Sequence, residues 1–349
     1  MHMHALVTAG ILTRLPRPPR KAVLVSQVRL GGFLCTTPAL RAFQRALPNT
    51  EMVMIAPPAL RDLVARSPHL DRFVAMPDLM LEQSQRPIDA RGFTEFLREM
   101  QAERFDLGIQ LRGYGLRSSP FFVLLGAQTN VGFAGPADMP VLDAALPFPK
   151  EGHLIDRCLE LAAFLGATPS GRHTEFVLDP EDHASASALL AGARRPLIGV
   201  HPTASEPERV WRPERFAAVV ARLQQSHGGT VVIVTEQKGH PAAELIAEEV
   251  RGACLNLAGM TSLPVLGAVI DRLAVFVTND TGPAHIAYAR GIPTVSLFAA
   301  TTRTPFWPPE SGPFRPLICD PPDCAALAEV SLDTITVDQV ILAVKEVMQ

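Results

Sequence analysis

The residues best equipped for chemistry gather at one strand-to-helix turn, Asn279-Asp280-Thr281-Gly282-Pro283, with His285 one turn further on. Val275-Phe276-Val277 reads as a short strand before it, and Pro283 suits a first helical position because its ring presets φ and costs no needed N–H. The helix then runs through Ala284, Ile286, Ala287 and Ala289 to Gly291, which can take the left-handed stop, and Thr294 to Phe298 reads as the next strand. Unpaired N–H groups and the helix dipole make such a helix head an anion site, and Gly282 lets a phosphate approach the backbone. The chemistry indicated is capture of a phosphorylated ligand. The competing account is a turn in which Asp280 or Thr281 merely caps the helix.

Two more turns have the same build. Leu197 to Val200 is a strand that runs into His201-Pro202-Thr203-Ala204-Ser205, followed by Arg209-Val210-Trp211-Arg212-Pro213 at a helix entry. Ala22 to Val28 is a strand that runs into Arg29-Leu30-Gly31-Gly32 and a helix beginning near Pro38-Ala39-Leu40-Arg41. Taken with Gly31-Gly32-Phe33-Leu34-Cys35-Thr36-Thr37-Pro38-Ala39-Leu40-Arg41, with Arg209-Val210-Trp211-Arg212-Pro213, and with Asp280-Thr281-Gly282-Pro283-Ala284-His285 followed by Gly291-Ile292-Pro293-Thr294-Val295-Ser296-Leu297-Phe298, the chain resembles glycosyltransferase family 9, the ADP-heptose:lipopolysaccharide heptosyltransferases. The likeness runs from Ala22 onward.

That resemblance implies an inverting, metal-independent transferase with no cofactor, moving a heptose or related sugar from a nucleotide-diphosphate donor, ADP-heptose foremost. It implies a donor site of Thr203, Ser205, Arg209, Glu236, Met260, Asp280, Thr281, Gly282 and His285, and an acceptor side carrying Gly31, Gly32, Arg112 and Arg117. Arg209 stands where the family has lysine, and a guanidinium can still grip a diphosphate with two donors. Asp280 would reach donor sugar hydroxyls, Glu236 the ribose, and Met260 would pack on the base. Arg209 and Asp280 are the catalytic candidates. The general base is unassigned, because the family's aspartate is Gly32 here and the histidine three residues on is Cys35. Glu206, Glu208, Asp106 and His153 are replacement candidates. Loss of a base costs about 100- to 10,000-fold without abolishing an enzyme, so a catalytically silent nucleotide-sugar-binding homologue is the alternative. Ala299-Ala300-Thr301-Thr302-Arg303 also departs from the family's G-P-T-D beside the sugar. A dinucleotide oxidoreductase is disfavoured, since no G-x-G-x-x-G follows a strand.

Composition limits the partners. A net charge of −3 gives no nucleic-acid footprint, and 47% hydrophobic against 19% charged residues argues for ample burial over 349 residues. Five scattered cysteines point to a reducing, cytoplasmic setting; Cys319 and Cys324 without a second pair favour free thiols over a metal. The Phe121 to Leu125 run reads as a buried helix segment, with peripheral contact to a membrane-borne acceptor as the lesser option. Basic residues are almost all arginine, a usage that suits a GC-rich genome and leaves the acceptor open between a lipopolysaccharide core and a small glycoside such as an antibiotic.

Strand-like runs at 22–28, 51–56, 72–75, 105–111 and 129–133, and again at 196–200, 230–234, 255–257, 273–277 and 294–297, alternate with helical patterns. Such alternation predicts a parallel sheet in each half, an α/β fold. By resemblance it is GT-B, two Rossmann-like domains facing across a cleft. The expected divisions are a loose extension over 1–20, an acceptor-binding domain over 21–175, a nucleotide-sugar-binding domain over 176–335, and a helix over 336–349 that crosses back to the first domain.

Overall fold

A computed structural model describes residues 10–81, 87, 89–112, 118–135, 141–149, 151–250, 252–299, 306–319 and 332–349. The chain forms two compact units, Met1–Thr174 and Glu175–Gln349.

The first unit is built on β1 (Lys21–Ser26), β2 (Glu51–Ala56), β3 (Arg72–Ala75), β4 (Leu107–Arg112), β5 (Thr129–Ala134) and β6 (Ala144–Pro147), in the order β3-β2-β1-β4-β5-β6 with every neighbouring pair parallel. The central strands are near-continuous apolar runs because both faces of the sheet are covered, and Ala22 to Leu24 and Val53 to Ala56 are fully buried. Helices α1 (Leu30–Ala46), α2 (Arg61–Arg66), α3 (Ala90–Ala102), α4 (Ser118–Leu124) and α5 (Leu154–Leu165) cover it, with α1 packed on α5. In α4, Phe121 and Phe122 are buried, as the sequence predicts.

Two expectations for this unit need correction. Helix α1 starts at Leu30 and encloses Pro38, so Gly31 and Gly32 lie buried in its first turn and not in an open loop. Residues 10–20 are not a loose extension. Gly10 packs on Gly166, Thr50 Oγ1 donates to the Pro19 carbonyl at 2.7 Å, and the Arg20 N–H donates to Asp106 at 2.8 Å.

The second unit repeats the plan. Strands β7 (Leu197–His201), β8 (Thr230–Ile233), β9 (Cys254–Asn256), β10 (Val275–Asn279), β11 (Thr294–Phe298) and β12 (Phe314–Ile318) lie in the order β12-β11-β10-β7-β8-β9, again parallel throughout. Helices α6 (Pro180–Leu189), α7 (Pro213–His227), α8 (His240–Glu249), α9 (Leu263–Ile270), α10 (Gly282–Arg290) and α11 (Val337–Val347) surround it. Helix α11 was expected to cross back to the first domain. Its apolar face, Val340, Ala343, Val344 and Val347, is instead used in the second unit's core, against α7 and strands β10 to β12. The edge strands β6 and β12 escape a sequence reading because Pro147 and Pro316 weaken their patterns, and edge strands are where proline is tolerated.

Candidate functional site

In the second unit the chain leaves β7 toward β8 and β9 on one side and β10 toward β11 and β12 on the other. The crevice beyond the carboxyl ends of β7 and β10 is therefore the topological switch point, where open parallel sheets bind ligands. His201 ends β7, with Thr203 and Arg209 beyond it, and Asn279 ends β10, with Asp280 to Gly282 beyond it, so the two turns that carry most of the candidates meet there.

Trp211 sets the first of these loops. It is fully buried, its indole N–H donates to the Ile335 carbonyl at 3.1 Å, and its ring stands edge-on to Phe216. Its backbone N–H donates to Asn279 Oδ1 at 3.1 Å, while Asn279 Nδ2 donates to the Thr203 carbonyl at 3.4 Å. Asn279 thereby stitches the post-β7 loop to the end of β10. Burying a side chain of this size contributes about 1.5–3 kcal/mol, enough to hold the loop in one place.

With the loop so fixed, Arg209 Nε lies 2.9 Å from Glu206 Oε2, and its Nη1 lies 3.6 Å from Asp280 Oδ2. Asp280 is only 5% exposed, and among the described residues its Oδ2 accepts no hydrogen bond. Desolvation pushes its pKa up to about 6, against the pull of Arg209 and with help from the Glu206 charge. A buried carboxylate oxygen without a donor is costly, so a ligand hydroxyl that reached it would relieve that cost.

Helix α10 opens beside it. Thr281 occupies the N-cap position in extended conformation, yet its side chain makes no capping bond. Its Oγ1 turns the other way, 3.4 Å from Thr278 Oγ1 and 3.5 Å from His201 Nδ1. The Gly282 N–H has no intrahelical acceptor by its position, and Thr281, Gly282 and Pro283 are half-buried. Gly291 closes the helix in the left-handed region at φ 68°.

The loop after β8 completes the group. Thr203 Oγ1 and Thr235 Oγ1 are 2.6 Å apart, and they lie 3.4 and 3.2 Å from Glu236 Oε2. His201 Nε2 is 3.8 Å from that same oxygen, while Lys238 Nζ is 3.2 Å from Glu236 Oε1. The His201 contact first, then the backbone and Lys238, hold the Glu236 carboxyl well below the ordinary range against partial desolvation. The Gly259 N–H donates to the Thr235 carbonyl at 2.8 Å, which sets Met260 beside this loop. Met260 is 59% exposed, so it is surface and not core filler.

The structure thus joins Thr203, Arg209, Glu236, Asp280 and Thr281 in one contiguous polar group with Gly282 at its head. Ser205 is exposed on the same loop. His285 is buried and packs edge-on to Tyr288 and Phe306, at centroid distances of 5.5 and 6.1 Å. Three members of the group were not candidates from sequence: His201, Thr235 and Asn279. His201 and Asn279 are the last residues of their strands, a position that carries meaning only once the strand order is known.

In the first unit the matching switch point lies between β1 and β4. Gly31 and Gly32 head α1 there, and a Cβ on Gly32 would sit 2.6 Å from Val28 Cβ. Arg112 ends β4, in register with Ser26. The Arg112 side chain and the whole of Arg117 lie outside the described residues. Asp106 precedes β4 at the opposite, amino edge, where burial is outweighed by the N–H groups of Arg20 and Lys21 and its carboxyl is held below the usual range. His153 caps α5 by accepting from the Ile155 N–H. Both therefore do structural work.

Among the described residues no helix is long and apolar enough to cross a membrane. Comparison with known proteins is consistent along the chain. It is 22% identical over 288 residues to the lipopolysaccharide core heptosyltransferase OpsX of Haemophilus influenzae, covering 80% of this chain and 79% of that protein. It is 27% identical over 314 residues to lipopolysaccharide heptosyltransferase 2 of Escherichia coli K12, covering 83% and 86%. Among solved structures it matches a family 9 glycosyl transferase from Veillonella parvula with a TM-score of 0.82 at 22% identity, over 94% and 97% of the two chains. It matches E. coli ADP-heptose LPS heptosyltransferase II with a TM-score of 0.74 at 19% identity, over 94% and 98%. These likenesses give the α/β fold of paired Rossmann-like units. The family model for glycosyltransferase family 9 (heptosyltransferase) matches residues 93–313, well over half of the sequence, and the chain belongs to that family.

Proposed function

We propose that this protein transfers a heptose or closely related sugar, with inversion, from ADP-heptose to a hydroxyl of a glycan acceptor on the cytoplasmic side. The reading is carried by the buried, unsatisfied Oδ2 of Asp280 beside Arg209 and the uncapped head of α10. A diphosphate is matched by the Gly282 N–H and the Arg209 guanidinium, which together take up charge as the phosphate leaves, and no metal role is assigned. Asp280 accepts a hydrogen bond from a donor-sugar hydroxyl, Glu236 from the ribose, and Met260 lies against the base. The E. coli heptosyltransferase WaaC, similar in fold, has been solved with ADP and with ADP-2-deoxy-2-fluoro heptose, which supports this choice of donor.

The acceptor class proposed is a lipopolysaccharide core, in line with the names of the relatives; a small glycoside is the second option. Incubation with ADP-heptose and each acceptor, read by ADP release and product mass, tests the assignment. A new glycoside with matching ADP is expected, and none with any acceptor contradicts it. One observation favours a second reading, a nucleotide-sugar-binding homologue without turnover: Val28 closes off the space in which a carboxylate at position 32 would stand. Donor binding with no ADP release above background would select that reading.

A further inference from the structure

We propose that His201 is a positioning residue that locks the Glu236 loop to the head of α10, so that the ribose and the diphosphate of a nucleotide are held at one fixed spacing. The inference rests on the donor roles proposed above for Glu236 and the head of α10. His201 is the last residue of β7, and its imidazole is 5% exposed, too enclosed to meet a ligand itself. Its two nitrogens nevertheless face two elements from different strands: Nδ1 is 3.5 Å from Thr281 Oγ1 and Nε2 is 3.8 Å from Glu236 Oε2.

The proton arrangement follows from the partners. Nε2 faces Glu236 across 3.8 Å, and since a carboxylate only accepts, the tautomer with its hydrogen on Nε2 suits that side. A hydroxyl can donate or accept, so Thr281 suits either state of Nδ1. Thr203, Thr235 and His201 all converge on Oε2, whereas Oε1 turns toward the exposed Lys238. One oxygen of Glu236 is thus anchored inward and the other faces outward beside the exposed Lys238, an arrangement like the outer-shell partner that orients a metal-binding side chain.

The test uses the full chain and two nucleotides, ADP and 2′,3′-dideoxy-ADP, titrated calorimetrically into wild type, His201→Leu, His201→Gln, Glu236→Gln and the His201→Leu/Glu236→Gln double variant. Wild type should prefer ADP. His201→Leu should weaken ADP about tenfold, the low end of what losing an outer-shell partner costs, and leave the dideoxy nucleotide within about twofold. His201→Gln, which keeps an N–H, should retain most of the preference, and the double variant should be no weaker than Glu236→Gln alone. Where leucine is not tolerated, His201→Asn, polar but too short to reach both partners, carries the same expectation. Equal weakening of both nucleotides, an additive double variant, or unchanged ADP binding overturns the inference while the proposed function stands. No ADP binding by the wild type overturns the proposed function and this inference with it.

Discussion

Arg209 Nη1 stands 3.6 Å from Asp280 Oδ2, within ion-pair range but too far for a hydrogen bond, so a buried carboxylate is partly neutralised without being satisfied by any described residue. Such a pair is a weak source of stability and a strong source of binding, because each charge keeps unused hydrogen-bonding capacity.

The Asp280 pKa of about 6, raised from 3.8 by desolvation first, means that folding favours the protonated acid. Stability from this group is therefore full below about pH 4 and is lost as pH rises through about 6, a swing of roughly 3 kcal/mol at most. Asp280→Asn should melt higher than wild type at pH 8, and the gain should shrink toward pH 4, while donor affinity falls. Thermal unfolding across this range checks it; a variant less stable at every pH would show that the carboxylate is structurally required.

Removing the guanidinium should act on binding. Arg209→Ala is expected to weaken ADP by about 1.5–3 kcal/mol, roughly 10- to 150-fold, and Arg209→Lys, which returns the family's residue type, to lose less. Calorimetric Kd values for the two variants decide, and equal Kd values for wild type and alanine would remove Arg209 from the site.

Position 32 is limited by space. Because the clash with Val28 begins at Cβ, Gly32→Ala and Gly32→Asp should both destabilise the protein by about 1–3 kcal/mol in urea. Turnover in Gly32→Asp should not rise. A stable, faster Gly32→Asp variant would show that the α1 head adjusts and that the native enzyme lacks only its base.

Met260 is solvent-facing, so Met260→Ala should leave the melting temperature unchanged and weaken ADP by about 1 kcal/mol, roughly fivefold. The same variant should leave inorganic pyrophosphate binding as it is, since the base alone is involved. Loss of both would point to a change in the neighbouring Glu236 loop.

Much of this was legible from the chain. Asp280-Thr281-Gly282-Pro283 announces a helix head by turn chemistry alone, and Val275 to Asn279 a strand by composition, so the parallel sheets and most of the polar group follow from local pattern. What was hidden depends on strand order. His201 looks like any polar residue after an apolar run until β7 is found beside both β8 and β10, and Asn279 looks like a turn residue until it is seen bonded to Trp211. Gly31 and Gly32 suggested a loop because glycine disfavours helix, yet Val28 demands glycine at position 32 inside one. Helix α11 announced its amphipathic face, but no pattern in it says which sheet that face meets.

In the proposed function the head of α10 holds the diphosphate of an activated sugar. A crystal soaked with ADP, or with ADP-heptose where turnover permits, tests it most directly. Phosphate density is expected at the Gly282 N–H and within hydrogen-bonding reach of Arg209, with the ribose at Glu236. Nucleotide density elsewhere, with that corner empty, would contradict it.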